Sequence, residues 1–236
     1  MIGVGTLRGR IERIRNGGDA GVTLTELLVA ITLFAILSTL IITSVTTISQ
    51  TLARNRVATD NTNVASVGMD ELTRIIRSGT SLSPVATNPA FLTASPEELM
   101  IYAYIDAPDS TPTPLKVQFK VNATTRDLVE TRWKGTRTST TAPWTFPTVD
   151  STRIIARKIV TPASGEAPLF TYFEISSDLT EKAMTTPVTG VTDLGKIATV
   201  EIAIKVQTDP NSRADPVTIL NRVGIPNLGI SRLGAN

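Results

Sequence analysis

The chain has 236 residues, 23 of them basic and 21 acidic, with neither cysteine nor histidine, which removes disulfides, thiol nucleophiles, the commonest metal ligand and the commonest general base. The whole formal charge of +2 lies in the first 21 residues, where Arg8, Arg10, Arg13 and Arg15 face Glu12 and Asp19. The remainder is near neutral, so the clustered cations that neutralise nucleic-acid phosphates are not indicated.

Residues 1–21 read as a targeting leader, set apart from the fold. The stretch that follows, Gly21 to Thr46 (GVTLTELLVAITLFAILSTLIITSVT), belongs to a run of 27 residues between Glu26 and Arg54 without one charge, longer than the roughly 20 apolar residues that cross a bilayer. Basic residues on the leader favour an amino terminus in the cytoplasm and a translocated body. One carboxylate, Glu26, lies just inside the apolar segment. A charge in hydrocarbon costs about 2.5 to 3.5 kcal/mol on insertion scales, so Glu26 needs a partner. A helix amino terminus at the lipid headgroups would also favour it through the dipole. Thr32, Ser38, Thr39 and Thr43 on the same segment suit either contacts between membrane helices or bonds back to their own helix.

The decapeptide Gly21, Val22, Thr23, Leu24, Thr25, Glu26, Leu27, Leu28, Val29, Ala30 resembles the processing site of type IV prepilins and of the pseudopilins of type II secretion. The resemblance implies cleavage by a prepilin peptidase between Gly21 and Val22, N-methylation of Val22, and a subunit-assembly role for Glu26, which would pair with the new amino terminus of a neighbouring subunit. Val22 departs from the phenylalanine usual there. The resemblance also implies other pilin or pseudopilin subunits, the assembly machinery and membrane lipid as partners. The site would be the cytoplasmic membrane, spanned once with the head outside, and then a cell-surface filament. Removing the first 21 of 236 residues leaves 215, a size similar to the larger minor pilins and J-type pseudopilins. Leu72 to Gly79 (LTRIIRSG) and Leu220 to Asn227 (LNRVGIPN) are similar to segments of those proteins.

From Val22 to about Ser78 no proline occurs, which allows one continuous helix of about 55 residues, about 80 Å long. It would span the membrane over 22–49 and be amphipathic over 50–79, the first half projecting from a globular head. Ala53, Val57, Val64, Leu72 and Ile75 recur at helical spacing, flanked by Val67, Met69 and Ile76, and predict the seam against that head. Gly68 is the weak point of this stretch, and Gly79 is a plausible left-handed helix end.

After Gly79 the period changes from 3.6 to 2. Leu99–Ile105, Leu115–Val121, Leu128–Trp133, Arg153–Val160, Leu169–Ile175, Ile197–Val206 and Val217–Val223 predict strands, separated by loops rich in Thr, Ser and Pro. The expected fold is α+β and pilin-like, with a long amino-terminal helix packed on an antiparallel sheet in a head of residues 80–236.

Asp209 to Asp215 (DPNSRAD) has some acidic spacing of a calcium loop, but Arg213 takes a donor position and the glycine is missing, so a hairpin turn is expected. Trp133 and Trp144 flank a Thr-rich loop, as core anchors or as an exposed adhesive pair. Glu97 and Glu98 are adjacent and should point apart on a strand. Neither a catalytic group nor a cofactor is expected. The reading is a pilin-like subunit; its rival is a single-span anchored extracellular β domain that binds a ligand or cell-wall component.

Overall fold

The computed structural model describes residues 21–82, 89–105, 113–139, 141–176, 178, 180–209 and 214–226. One helix, α1 (Leu24–Arg77, 54 residues), follows the non-helical residues Gly21 to Thr23. The chain divides after Leu52 into two compact units, so α1 contributes to both.

In the first unit α1 is long and apolar enough to cross a membrane, with a mean hydropathy of 2.5 over an 18-residue window whose side chains are all exposed. Three of its threonines answer the choice left open by the sequence. Thr32, Thr39 and Thr43 donate to the carbonyls of Leu28, Ala35 and Thr39 at 2.5, 2.8 and 2.9 Å. Their hydroxyls are therefore satisfied within their own helix, which makes them compatible with hydrocarbon.

The second unit begins at Ala53 and holds two antiparallel sheets where a single sheet was expected. Strands β1 (Phe91–Ala94), β2 (Glu98–Ala103), β3 (Leu115–Val121), β4 (Leu128–Lys134) and β5 (Val149–Ala156) form the first, in sequential order. Strands β6 (Phe170–Ile175), β7 (Glu181–Ala183), β8 (Ile197–Val206) and β9 (Val217–Gly224) form the second, in the order β7-β6-β8-β9. A short helix, α2 (Val191–Lys196), leads into β8. Single bridges, Ala94 to Val188 and Ile159 to Val206, tie the two sheets together. Their inner faces share one core, with Phe91, Leu99, Ile101 and Phe119 from the first and Phe170, Tyr172, Val200 and Ile202 from the second. The Tyr172 hydroxyl, inside that core, donates to the Ser95 carbonyl at 3.0 Å. Burial therefore costs it no hydrogen bond and pushes its pKa well above the ordinary value.

β3 and β8 have the predicted bounds. β5 does not: it starts four residues earlier than Arg153 and stops at Ala156, because Lys158 takes a left-handed φ of 56° that ends the extended run. β1, β7 and α2 were missed; at 4, 3 and 6 residues they are too short for a periodic signal.

The second half of α1 packs through Ala65, Met69, Leu72, Ile75 and Ile76, all in the core. Val57 and Val64 are only half-buried, and Ala53 and Val67 are exposed, so the seam is narrower than the sequence suggests and lies nearer the carboxyl end of the helix. Gly68, expected as a weak point, is a contact point: an added Cβ would lie 3.1 Å from Ala156 Cβ and 3.5 Å from the Ile155 carbonyl oxygen. Gly79 ends the helix for the same reason and not by a left-handed turn; a Cβ there would meet Ile101 Cδ1 at 2.6 Å. Leu72 is fully buried, and deleting such a side chain costs about 2 to 5 kcal/mol. In a head fragment starting at Gln50, Leu72→Ala is expected to lower the melting temperature sharply. Arg74→Ala, with the guanidinium 46% exposed, is expected to change it little; calorimetry of the two side by side checks this.

A group of charges joins α1 to the first sheet. Glu130 on β4, its carboxylate wholly buried, takes the Arg132 guanidinium at 2.7 Å and also bonds Arg153. Glu71 on α1 takes Arg74 at 2.9 Å, Arg132 at 2.8 Å and Arg153 at 2.7 Å. Burial alone would raise the Glu71 carboxyl, but the hydrogen bond from Arg74 and the charges of Arg74, Arg153 and Arg132 outweigh it and hold the group below its ordinary value.

Candidate processing and assembly site

At the amino-terminal end of the described chain, Thr23 immediately precedes the helix. Its carbonyl accepts the first helical bond, from the Leu27 N–H at 3.1 Å, and its hydroxyl oxygen accepts the Glu26 N–H at 3.2 Å. Thr23 is thus the N-cap, satisfying one of the amide donors that the first turn leaves without a carbonyl partner. A second hydroxyl, Thr25 Oγ1, lies 3.1 Å from Thr23 Oγ1. The capping role of Thr23 was not read from the sequence. The signal was present: Thr23 and Glu26 have the spacing of a capping box, in which a threonine is followed three residues later by glutamate. Only half of that box is formed here. The Glu26 backbone bonds to Thr23, while its carboxylate is exposed and makes no hydrogen bond or ion pair among the described residues.

Gly21 and Val22 precede the cap, outside the helix. A Cβ on Gly21 would meet nothing within 4 Å, and its φ lies outside the left-handed region. Neither packing nor backbone conformation within the described residues demands a glycine at this position. Val22, 69% exposed, is equally unconstrained. Glu26 in turn sits in the first turn of α1, where the helix dipole favours a negative charge. The exposed apolar surface of the helix continues directly from it. The three residues singled out from the sequence therefore fall within six residues of chain, at the start of the helix.

Residues 17–42 match the prokaryotic N-terminal methylation motif. The amino-terminal segment is that of the type IV prepilin and pseudopilin family. No curated protein matches the chain. The prepilin motif covers the leader end, the Gly21–Val22 bond, the cap and the first half of the apolar helix, and the α+β body behind it has the pilin-like order of long helix followed by antiparallel strands. The family is one of structural subunits rather than enzymes, and an apolar helix next to the motif is consistent with membrane anchoring.

The other residues weighed from the sequence take simpler roles. Glu97 and Glu98 do point apart: Glu97 binds Arg126 at 2.6 Å and Glu98 binds Lys120 at 2.8 Å. Trp133 and Trp144 are neither core anchors nor a bare pair. Both are half-buried, with Lys116 Nζ 4.2 Å from the Trp133 ring centre and the Arg137 guanidinium 4.4 Å from that of Trp144. Such cation–π contacts hold a ring at the surface without placing it in the core. Of the Asp209–Asp215 loop, residues 210–213 lie outside the described residues, as do Asn227 and leader residues 1–20.

Proposed function

We propose that the chain is the precursor of a type IV pilin-like subunit, of the minor pilin or J-type pseudopilin kind. A prepilin peptidase cuts it between Gly21 and Val22 and methylates the new terminus. The product is held in the cytoplasmic membrane by the first part of α1, with the β-rich body on the outer side, and is then taken up by the assembly machinery into a pilus or pseudopilus. The single observation that carries this reading is the coincidence, inside the matched motif, of a glycine that the described fold does not require and a carboxylate without a partner at the head of an exposed apolar helix. Both are explained if their partners are other molecules: a peptidase for Gly21, and a neighbouring subunit's amino terminus for Glu26.

The assembly role of Glu26 can be separated from processing. An ammonium and a carboxylate 4 Å apart attract by about 4 kcal/mol at an effective dielectric near 20, and about 1.4 kcal/mol is a factor of ten in an equilibrium. Glu26→Ala is therefore expected to be cut normally yet to enter filaments more than about tenfold less. Insertion would not be at fault, because removing a charge makes a membrane helix easier to insert. The measurement compares cut protein in the membrane with protein in sheared filaments, in the native host. Unchanged incorporation would leave Glu26 as an interfacial helix residue and nothing more.

A further inference from the structure

We infer that Thr23 is a positioning residue for the cut: by capping α1 it keeps the Gly21–Val22 peptide outside the helix. The inference rests on the processing reading above and adds to it the element that presents the bond. A peptide bond inside a helical turn has its carbonyl and amide engaged in the ladder and its flanks covered by neighbouring side chains, whereas one outside the helix offers both groups to an enzyme. The sequence after the cut is a strong helix former next to lipid, where unsatisfied backbone groups are costly and helices tend to lengthen until a cap stops them. Thr23 supplies that stop, its hydroxyl taking the Glu26 N–H at 3.2 Å while its carbonyl takes the Leu27 N–H. Upstream, the nearest residues of a type able to cap instead are Gly21 and Asp19. A helix starting at either would draw Val22 into its first turn. The matched motif, which carries the processing reading, spans both the cap and the bond.

The test uses the full-length precursor in detergent micelles with purified prepilin peptidase, following the kcat/KM of cleavage. Thr23→Val has nearly the shape of threonine but no hydroxyl. Its rate is expected to fall about fivefold, the equivalent of a cap worth about 1 kcal/mol. Thr23→Ser and Thr23→Asn, which can cap, should return it to within about twofold of the parent. Carbon chemical shifts of Val22 in the Thr23→Val precursor should move toward helical values. Two results would overturn the inference: cleavage of Thr23→Val at the parent rate, or Thr23→Asn as slow as Thr23→Val, which would mean that the peptidase reads threonine itself. If the parent chain is not cut after Gly21 at all, the processing reading falls instead, and the two failures are told apart by that control.

Discussion

Gly21→Leu is expected to abolish processing, leaving the uncut precursor as the only form in the membrane. The expectation comes from what the fold does not ask of this position. Some glycines of the chain are held by contact: at Gly79 a Cβ would come within 2.6 Å of Ile101, and at Gly135 within 2.7 Å of the Pro114 carbonyl oxygen. At Gly21 the same atom would meet nothing within 4 Å, so leucine is tolerated by the described structure and any effect reports on a partner that approaches the backbone closely. Leucine also makes the segment more apolar, so membrane insertion is not weakened. Mass spectrometry of protein from the native host should find the parent beginning at Val22, methylated on nitrogen, and the variant still carrying its leader. A parent terminus beyond Thr46 would instead mean an ordinary secretory signal, and with it the rival reading of the chain as something other than a pilin-like subunit.

In the body of the protein, the substitution expected to cost most among the charged residues is Glu130→Ala. Its carboxylate is wholly buried and bonds both Arg132 and Arg153, and Arg132 is itself only 16% exposed. Removing one partner of a buried ion pair costs about 3 to 5 kcal/mol, because the other charge stays desolvated. Arg153 is half exposed and Glu71 remains to share both guanidinium groups, which places the loss near the lower figure, about 3 kcal/mol. For a unit of this size that is a fall in melting temperature of roughly 6 to 12 °C. The double variant Glu130→Ala with Arg132→Ala should lose less than the sum of the two single changes, since the second removes the charge that the first leaves stranded. Additive losses would show that the cluster acts only through its packing. The same cluster gives a pH signature. Because the Glu71 carboxyl titrates lower in the folded chain than its ordinary value of 4.5, its contribution is complete above that value. It is lost as pH falls through the lower folded value, so acid melting of the parent should steepen there and Glu71→Gln should flatten it.

The amino-terminal half of the chain was legible because its signals are local. The leader charges, the glycine, Glu26 and the charge-free run occupy fixed positions along one segment, and a membrane-length helix needs no tertiary partner to be recognised. The strands β3 and β8 were legible for a related reason: with one face buried and one wet, LKVQFKV and IATVEIAIKV carry the period of the strand in their own residues. The cap at Thr23 was legible too, in the three-residue spacing to Glu26, but that spacing gains its meaning only beside a defined scissile bond.

Where the sequence was silent or misleading, the deciding contacts join residues far apart in the chain. Gly68 and Gly79 look like flaws in a helix until Ala156 and Ile101 are seen against them. Glu130 sits at an apolar position in its strand, and only the guanidinium groups of Arg132 and, from the neighbouring strand, Arg153 make its burial tolerable. The division of the strands into two sheets likewise follows from which strands pair, β5 closing one sheet and β6 pairing with β7 and β8 in the other, pairings that alternation within a strand cannot encode. Local pattern by itself determined the long helix and the longer strands and marked the bond at which the proposed cut falls. The fold alone decided which faces of those segments meet, because close backbone approach and charge compensation are properties of pairs.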